Sequence, residues 1–191
     1  LILFVQRMIN TAVFDANGEE MVNLGEYLPV VNKAATYSKR LAKGQDYRVA
    51  FFAYNVDPTT GTSLYYDVTN MKSIKVLGNQ ASNVEERDAF TAYVNIKGSE
   101  LTNLSNVEKD VTLKRPFAQL NLGVDDRELE DAANAGVVIT NTAITVTNVW
   151  NAFNAYDDDI ADDAVSAPME FALNGVPTQP LTVNGNNYTY L

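Results

Sequence analysis

The chain contains no cysteine and no histidine among its 191 residues. Without cysteine, neither a disulfide framework nor a thiolate metal site can form, and the redox compartment stays undecided. Without histidine, the commonest general base and the commonest metal ligand are missing, which excludes most known arrangements of catalytic residues. A carboxylate pair for glycoside hydrolysis stays open, but no Gly-x-Ser-x-Gly nucleophile motif is present. We therefore predict a protein that is not an enzyme and that holds no metal and no cofactor.

Concentrated positive charge and long apolar runs are also missing. Acidic residues outnumber basic ones by 24 to 14, the formal net charge is −10, and the longest basic clusters are Lys39-Arg40 and Lys114-Arg115. Nucleic acids and anionic membranes both require a concentrated positive face, so neither is an expected partner. No apolar stretch is long enough for a signal peptide or a membrane span. We expect a processed or truncated product, with more polypeptide following Leu191.

What the sequence does contain is the pattern of a folded all-β protein, with 46% hydrophobic and 20% charged residues. Residues 47–54 are β-branched and aromatic, which predicts a central strand. Residues 11–14 and 19–22 flank Asp15-Ala16-Asn17-Gly18 and predict a hairpin. Further predicted strands are residues 64–68, 73–77, 107–113, 117–124, 137–149 and 187–191. This spacing predicts a sandwich or a barrel.

One segment has the sequence of a helix. Asp125 or Asp126 can cap its first turn, acidic residues follow in that turn, and Gly136 ends it. A second, short helical turn is predicted at residues 85–89. The chain is thus all-β with one short helix.

Domain boundaries are indicated by an acidic segment and by prolines. Five aspartates lie between Tyr156 and Asp163, and prolines recur from residue 168 onward. We place the first domain at residues 1–165 and interpret residues 166–191 as a linker and the start of a second, truncated β domain. The aspartates of residues 157–163 can bind calcium through oxygen ligands, but they lack the spacing of a dedicated loop, and a solvated acidic loop is the alternative.

The segment from Leu113 to Gly123 is a predicted strand interrupted by proline. Because Pro116 has no amide donor, it belongs at a sheet edge or a bulge, where another strand can be accepted. Phe117 and Leu120 are expected to point into the sandwich, where truncation would cost roughly 2–5 kcal/mol each. Arg115 is expected to be structural, with Asp110 or Asp125 as candidate partners.

This segment, the hairpin around Asp15-Ala16-Asn17-Gly18, residues 47–54 and residues 86–90 together resemble the fimbrillins of the Bacteroidetes type, the subunits of type V pili. The resemblance implies a transthyretin-like β-sandwich of about seven strands, followed by a second sandwich. It also implies export as a lipoprotein precursor, proteolytic activation after a basic residue, and assembly in which a neighbouring subunit fills a groove by strand addition. Against that pattern, we expect this sequence to lack the lipidated leader and most of the second domain.

The first residues suit such a groove. Leu1, Ile2, Leu3, Phe4 and Val5 are apolar, uncharged and of high β propensity. Two interpretations stay open: an ordinary first strand buried in its own sandwich, or an exchanged strand released by cleavage at Arg7.

We therefore expect a structural subunit of a bacterial surface pilus that assembles by donor-strand addition and supports adhesion. Its partners would be other pilin subunits and host or bacterial surface receptors, and its location would be extracellular, attached to the outer membrane. The alternative is a cell-surface module that binds glycans without polymerising. Its aromatic platform would come from Trp150, Tyr156, Tyr65 and Tyr66, although core packing of these rings is the competing interpretation.

Overall fold

The structure is a computed structural model that describes residues 6–78, 84–102, 106–118, 120, 122–174, 180–183 and 186–190. The chain forms two compact units. The first comprises residues 1–117 and 150–165, and the second comprises residues 118–149 and 166–191. Both units depart from the predicted boundaries, because residues 118–149 group with the C-terminal segment. The chain leaves the first unit after Phe117 and returns to it at Trp150, and such a double crossing leaves no compositional signal.

The protein is an all-β sandwich protein with one short α-helix, as predicted. The strands of the first unit are β1 (Gln6–Phe14), β2 (Glu26–Pro29), β3 (Tyr47–Val56), β4 (Tyr66–Asp67), β5 (Ile74–Val76), β6 (Phe90–Ile96), β9 (Ala152–Asn154) and β10 (Asp159–Ile160). Short 3₁₀ turns lie at Val22–Leu24 and Glu85–Arg87. The part of the chain that the structure describes contains no helix with the length and apolarity of a membrane span.

Two four-stranded antiparallel sheets form the layers of the first unit. Their strand orders are β2-β1-β3-β6 and β10-β9-β5-β4. In the first sheet, β3 lies between β1 and β6, so the predicted central strand is confirmed. Asn10 of β1 lies opposite Phe52 of β3 on one side and Tyr27 of β2 on the other.

The core follows the alternation of side chains along the strands. Phe52 of β3 and Phe14 of β1 face the second sheet, where Ile74 and Phe153 complete one buried cluster. The opposite face of the first sheet is also covered, because Val13 and Val49 pack with side chains from the connections, including Tyr37 and Leu41. Burial on both faces explains why the β3 sequence is apolar almost without interruption.

The second unit has its own strands and the helix. Its elements are β7 (Gly123–Asp125), α1 (Asp126–Asn134), β8 (Asn141–Trp150), β11 (Ser166–Asn174), β12 (Pro180–Val183) and β13 (Asn186–Tyr190). Strand β13 pairs with β12 and β7, and β11 pairs with β8. Helix α1 begins as predicted, because the Asp125 carboxylate accepts a hydrogen bond from the Arg127 amide at 2.9 Å. Gly136 follows the helix with a φ of 77°.

Several predicted β segments are wrong or shortened. Residues 107–113 form no strand, because Glu108, Lys109 and Asp110 interrupt the apolar alternation. Of the described residues between 117 and 124, only the last two belong to a strand, which is Gly123–Asp125. The hairpin turn ending at Gly18 forms, with a φ of 78°, but its second arm is a single bridge between Phe14 and Glu20. The 3₁₀ turn then diverts the chain.

Candidate functional site

The proline-interrupted segment lies against the β6 edge of the first sheet. Lys114 and Thr91 exchange two backbone hydrogen bonds, of 2.7 and 2.9 Å. In an extended chain, residues two apart direct their amides to the same side. Pro116 is two residues beyond Lys114 and has no amide, so the pairing ends after one bridge.

Arg115 pairs with Asp88, not with Asp110 or Asp125 as expected. Its Nε and Nη2 donate to the two carboxylate oxygens of Asp88 at 2.7 and 2.8 Å, which is a bidentate geometry. The same guanidinium lies 5.6 Å from the ring centroid of Phe90. Arg115 therefore ties the segment to the loop that precedes β6.

Arg7, the candidate cleavage residue, lies in β1 with a strand on each side. Its carbonyl accepts a hydrogen bond from the Val30 amide at 3.0 Å, and its Nε donates to Asn55 Oδ1 at 3.3 Å. Its guanidinium also lies 4.8 Å from the centroid of the Phe90 ring. The candidate exchanged strand, Leu1 to Val5, lies outside the described residues.

Phe117 and Leu120 differ in their surroundings. Phe117 is 39% exposed and contacts two rings of the first unit, Tyr66 at 6.0 Å and Phe153 at 5.7 Å between centroids. Leu120 is 68% exposed. The expectation that both side chains point into the sandwich is wrong for Leu120, because the chain passes from the first unit into the second after Phe117.

Beyond the Thr91 bridge, the outer side of β6 carries no further strand among the described residues. Since Thr91 directs its amide and carbonyl away from β3, Tyr93 and Asn95 do the same. No backbone hydrogen bond of the described residues is made on this side at either position. Two donors and two acceptors therefore form a row that has no backbone partner in the described part of the chain, and we name this row the open edge.

The side chains of the open edge are held in place by Arg48. Its guanidinium lies 4.5 Å from the ring centroids of both Tyr93 and Tyr156, and its Nε donates to Asn95 Oδ1 at 3.0 Å. An ion pair with Asp157, at 3.1 Å, completes the contacts. These contacts order the edge in an extended conformation.

The opposite edge of the same sheet, formed by β2, is blunted. The Val30–Arg7 bond fixes the register so that Tyr27 and Pro29 direct their backbone outward. Pro29 cannot donate, and a tight turn follows at Val31–Ala34, with positive φ at Asn32 and Lys33. Only Tyr27 presents an outward donor and acceptor within β2, so this edge is poor at accepting a strand.

A groove of about 460 Å³ lies in the first unit beside β2, and we name it the tyrosine groove. Its main lining consists of Met8, Tyr27, Tyr54, Tyr66, Val68 and Leu77, with Thr62, Ser63, Asp67 and Thr69 as polar neighbours. Burial, together with the Coulombic effect of Tyr27, raises the pKa of Tyr54 to about 12. Hydrogen bonds from the side chain and backbone of Thr69 lower the pKa of Asp67, which is therefore ionised at neutral pH.

The predicted aromatic platform is not brought together. Tyr66 is buried against Phe52, Tyr65 packs under the Arg87 guanidinium, and Tyr156 packs edge-on against Phe14. Trp150 is half-exposed. Sequence analysis had no signal for the tyrosines that do share a groove, because Tyr27, Tyr54 and Tyr66 meet only through strand register and sheet packing.

The aspartates of residues 157–163 are used largely in ion pairs. Asp157 binds Arg48, Asp158 binds Lys114 at 2.5 Å, and Asp163 binds Lys75 at 2.8 Å. Among the described residues, no group of three or more acidic side chains is arranged to hold a metal ion. These ion pairs fix the loop against the sandwich.

A family model matches residues 11–188, and its description is a family of unknown function, DUF6562. The match covers most of the sequence, so the chain belongs to this family. No curated protein and no solved structure matches the sequence.

Proposed function

We propose that this chain is a structural subunit of a bacterial surface pilus, that it assembles by strand addition, and that it supports adhesion at the cell surface. The observation that carries the proposal is the open edge of β6. Its partners in this proposal are further subunits of the same fibre, with surface receptors as secondary partners. The location that goes with this role is extracellular, at the outer membrane.

The backbone geometry of the open edge supports the proposal. An incoming strand beside Tyr93 and Asn95 would pair with two donors and two acceptors and would extend the first sheet beyond its four strands. Such strand addition takes its affinity from main-chain hydrogen bonds. Thr91 is already paired with Lys114, so the incoming strand would lie alongside the later part of β6.

The difference between the two edges of the sheet also supports the proposal. Sheet edges that must stay unpaired are protected by proline, charge or tight turns. The β2 edge has Pro29 and the turn at Val31–Ala34, whereas Tyr93 and Asn95 have neither proline nor a covering strand among the described residues. If this edge accepts a different segment of the next subunit, the contact is heterologous, and repeating it produces a linear fibre.

Proline substitution at Asn95 tests the proposal. Because the Asn95 amide faces outward, Asn95→Pro removes a donor from the open edge without removing a hydrogen bond to β3. The matched control is Asn95→Ala, which removes the same side chain and keeps the amide. The measurement is the ladder of the concentrated protein on an unboiled detergent gel, together with electron microscopy of the same sample.

Wild type and Asn95→Ala are expected to give a ladder and fibres, and Asn95→Pro is expected to give a monomer band alone. A second control, Val94→Pro, removes a donor directed toward β3 and should lower the melting temperature. A wild-type protein that stays monomeric at every concentration would contradict the proposal. So would fibres formed equally well by Asn95→Pro.

A further inference from the structure

The tyrosine groove is a second surface of the first unit, and it does not include the open edge. Tyr27 and Tyr54 reach it from the same face of the first sheet. Tyr27 lies opposite Asn10 of β1, and Tyr54 lies opposite Met8 of β1. Asn10 and Met8 are two residues apart in one strand, so their side chains and those of their partners lie on the same face. The opposite wall comes from Tyr66, Val68 and Leu77. The volume of about 460 Å³ lies in the range of roughly 300–1,000 Å³ that is typical of small-molecule sites.

Tyr54 is the buried polar group of the groove. The residue is 3% exposed, and its hydroxyl makes no hydrogen bond with the described part of the chain. Tyr54 is also one of the residues that line the groove. A phenol at the wall of a groove, with no hydrogen-bond partner among the described residues, is a hydrogen-bonding group that a ligand can use.

Asp67 adds an acceptor. Its Oδ1 accepts bonds from the amide and the hydroxyl of Thr69, at 3.0 and 2.7 Å. Its Oδ2 makes no hydrogen bond with a described residue, and the carboxylate is ionised at neutral pH because Thr69 lowers its pKa. The second oxygen can therefore accept a hydrogen bond from a hydroxyl group of a ligand.

Tyr27 adds an apolar surface. Its ring is 56% exposed, at the rim of the groove. An exposed aromatic face beside fixed hydrogen-bonding groups suits a ligand that has an apolar C–H face and a rim of hydroxyls. The ligand class with that combination is carbohydrate. An anionic ligand is disfavoured because Asp67 is the one charged side chain among the lining residues.

We infer that the tyrosine groove binds a short carbohydrate, with Tyr27 stacking on a sugar ring and with Tyr54 and Asp67 binding its hydroxyls. This binding is independent of strand addition, because no residue of the groove belongs to β6. Adhesion to a glycosylated surface is the role that the groove would add to a fibre subunit.

The experiment measures binding of disaccharide probes to the purified chain. Cellobiose, maltose, lactose and N,N′-diacetylchitobiose are tested by saturation-transfer NMR, and the best of them by calorimetry. Binding of at least one probe is expected. Each of Tyr27→Ala, Tyr54→Phe and Asp67→Asn is expected to weaken it by about tenfold.

Two controls separate binding from folding. Tyr54→Phe removes an oxygen that has no partner among the described residues, so its melting temperature should equal that of wild type. Tyr93→Ala removes an exposed tyrosine outside the groove and should leave sugar affinity unchanged. Failure of all four probes to bind overturns the inference, as does binding that the three groove variants leave unaltered. Asn95→Pro should bind the sugar with wild-type affinity even though it does not form fibres. Loss of fibre assembly and loss of sugar binding can therefore be told apart.

Discussion

In the first unit, Phe14, Phe52, Met71 and Ile74 are fully buried, whereas in the second unit none of the described side chains is buried. Both units have antiparallel strands with regular pairing. Among the described side chains, regular strand pairing is therefore accompanied by a buried core only in the first unit. Since burial of apolar area is the dominant favourable term in folding, we expect the stability of the described structure to be concentrated in the first unit.

Phe52→Ala should have the largest effect. The ring is completely buried and packs against Tyr54, Tyr66 and Phe153. Its removal leaves a cavity between the sheets, and the free energy of unfolding should fall by about 3–5 kcal/mol. Denaturant titration measures this loss, and Phe52→Leu, which refills part of the space, should lose less. A loss below about 1 kcal/mol would contradict the burial that defines the first unit.

Tyr66 should make the first unit sensitive to alkali. Burial raises its pKa to about 12 from a usual value of 10.0. The neutral phenol is therefore favoured in the folded state, so the stability is fully present below pH 10 and is lost as the pH rises toward 12. Two pKa units correspond to about 3 kcal/mol.

The measurement is the free energy of unfolding between pH 9 and 12. Tyr66→Phe should flatten the decline, whereas Tyr93→Phe, at an exposed ring, should keep the wild-type profile. Equal slopes for wild type and Tyr66→Phe would show that this ring is not responsible.

Arg115→Ala should have a modest effect. The Arg115–Asp88 pair is bidentate, but the Arg115 side chain is more than half exposed. Exposed ion pairs stabilise a fold only weakly, and the bidentate geometry favours a stronger coupling than that of an ordinary surface pair. A double-mutant cycle with Asp88→Ala measures the coupling energy, and Arg115→Lys should recover only part of it because lysine lacks the planar fork. A coupling energy of zero at low salt would contradict the proposed structural role of Arg115.

The features that the sequence predicts correctly are those that local chemistry decides. The dense β-branched and aromatic composition of residues 47–54 placed the central strand, and the carboxylate at Asp125 with Gly136 placed the helix. The all-β class followed from the same local patterns. Each of these features depends on residues within one turn or one strand of each other.

Sequence analysis failed where distant segments decide the structure. The partner of Arg115 is Asp88, 27 positions away, and no local pattern distinguishes it from Asp110 or Asp125. The tyrosine groove requires the registers of β1, β2 and β3 together with the packing of β4. The grouping of residues 118–149 with residues 166–191 is also a long-range property. The fimbrillin resemblance and the function derived from it stay predictions.

Leu120→Ala should have the smallest effect, and it sharpens the contrast between the units most directly. An apolar residue within a predicted strand is expected to lie in a core, but Leu120 is 68% exposed. Its truncation removes little buried area, so the free energy of unfolding should change by no more than about 0.5 kcal/mol.

Leu120→Asp extends the same test, because an unpaired charge placed in an apolar core is strongly destabilising, whereas at an exposed position it stays hydrated. The free energy of unfolding of Leu120→Asp should therefore lie within about 0.5 kcal/mol of the wild-type value in denaturant titration. The matched substitution Val13→Asp, at a fully buried position of β1, should prevent folding. A large loss at Leu120→Asp in the isolated monomer would show that the second unit has a core that includes this residue, and the contrast between the units would fail.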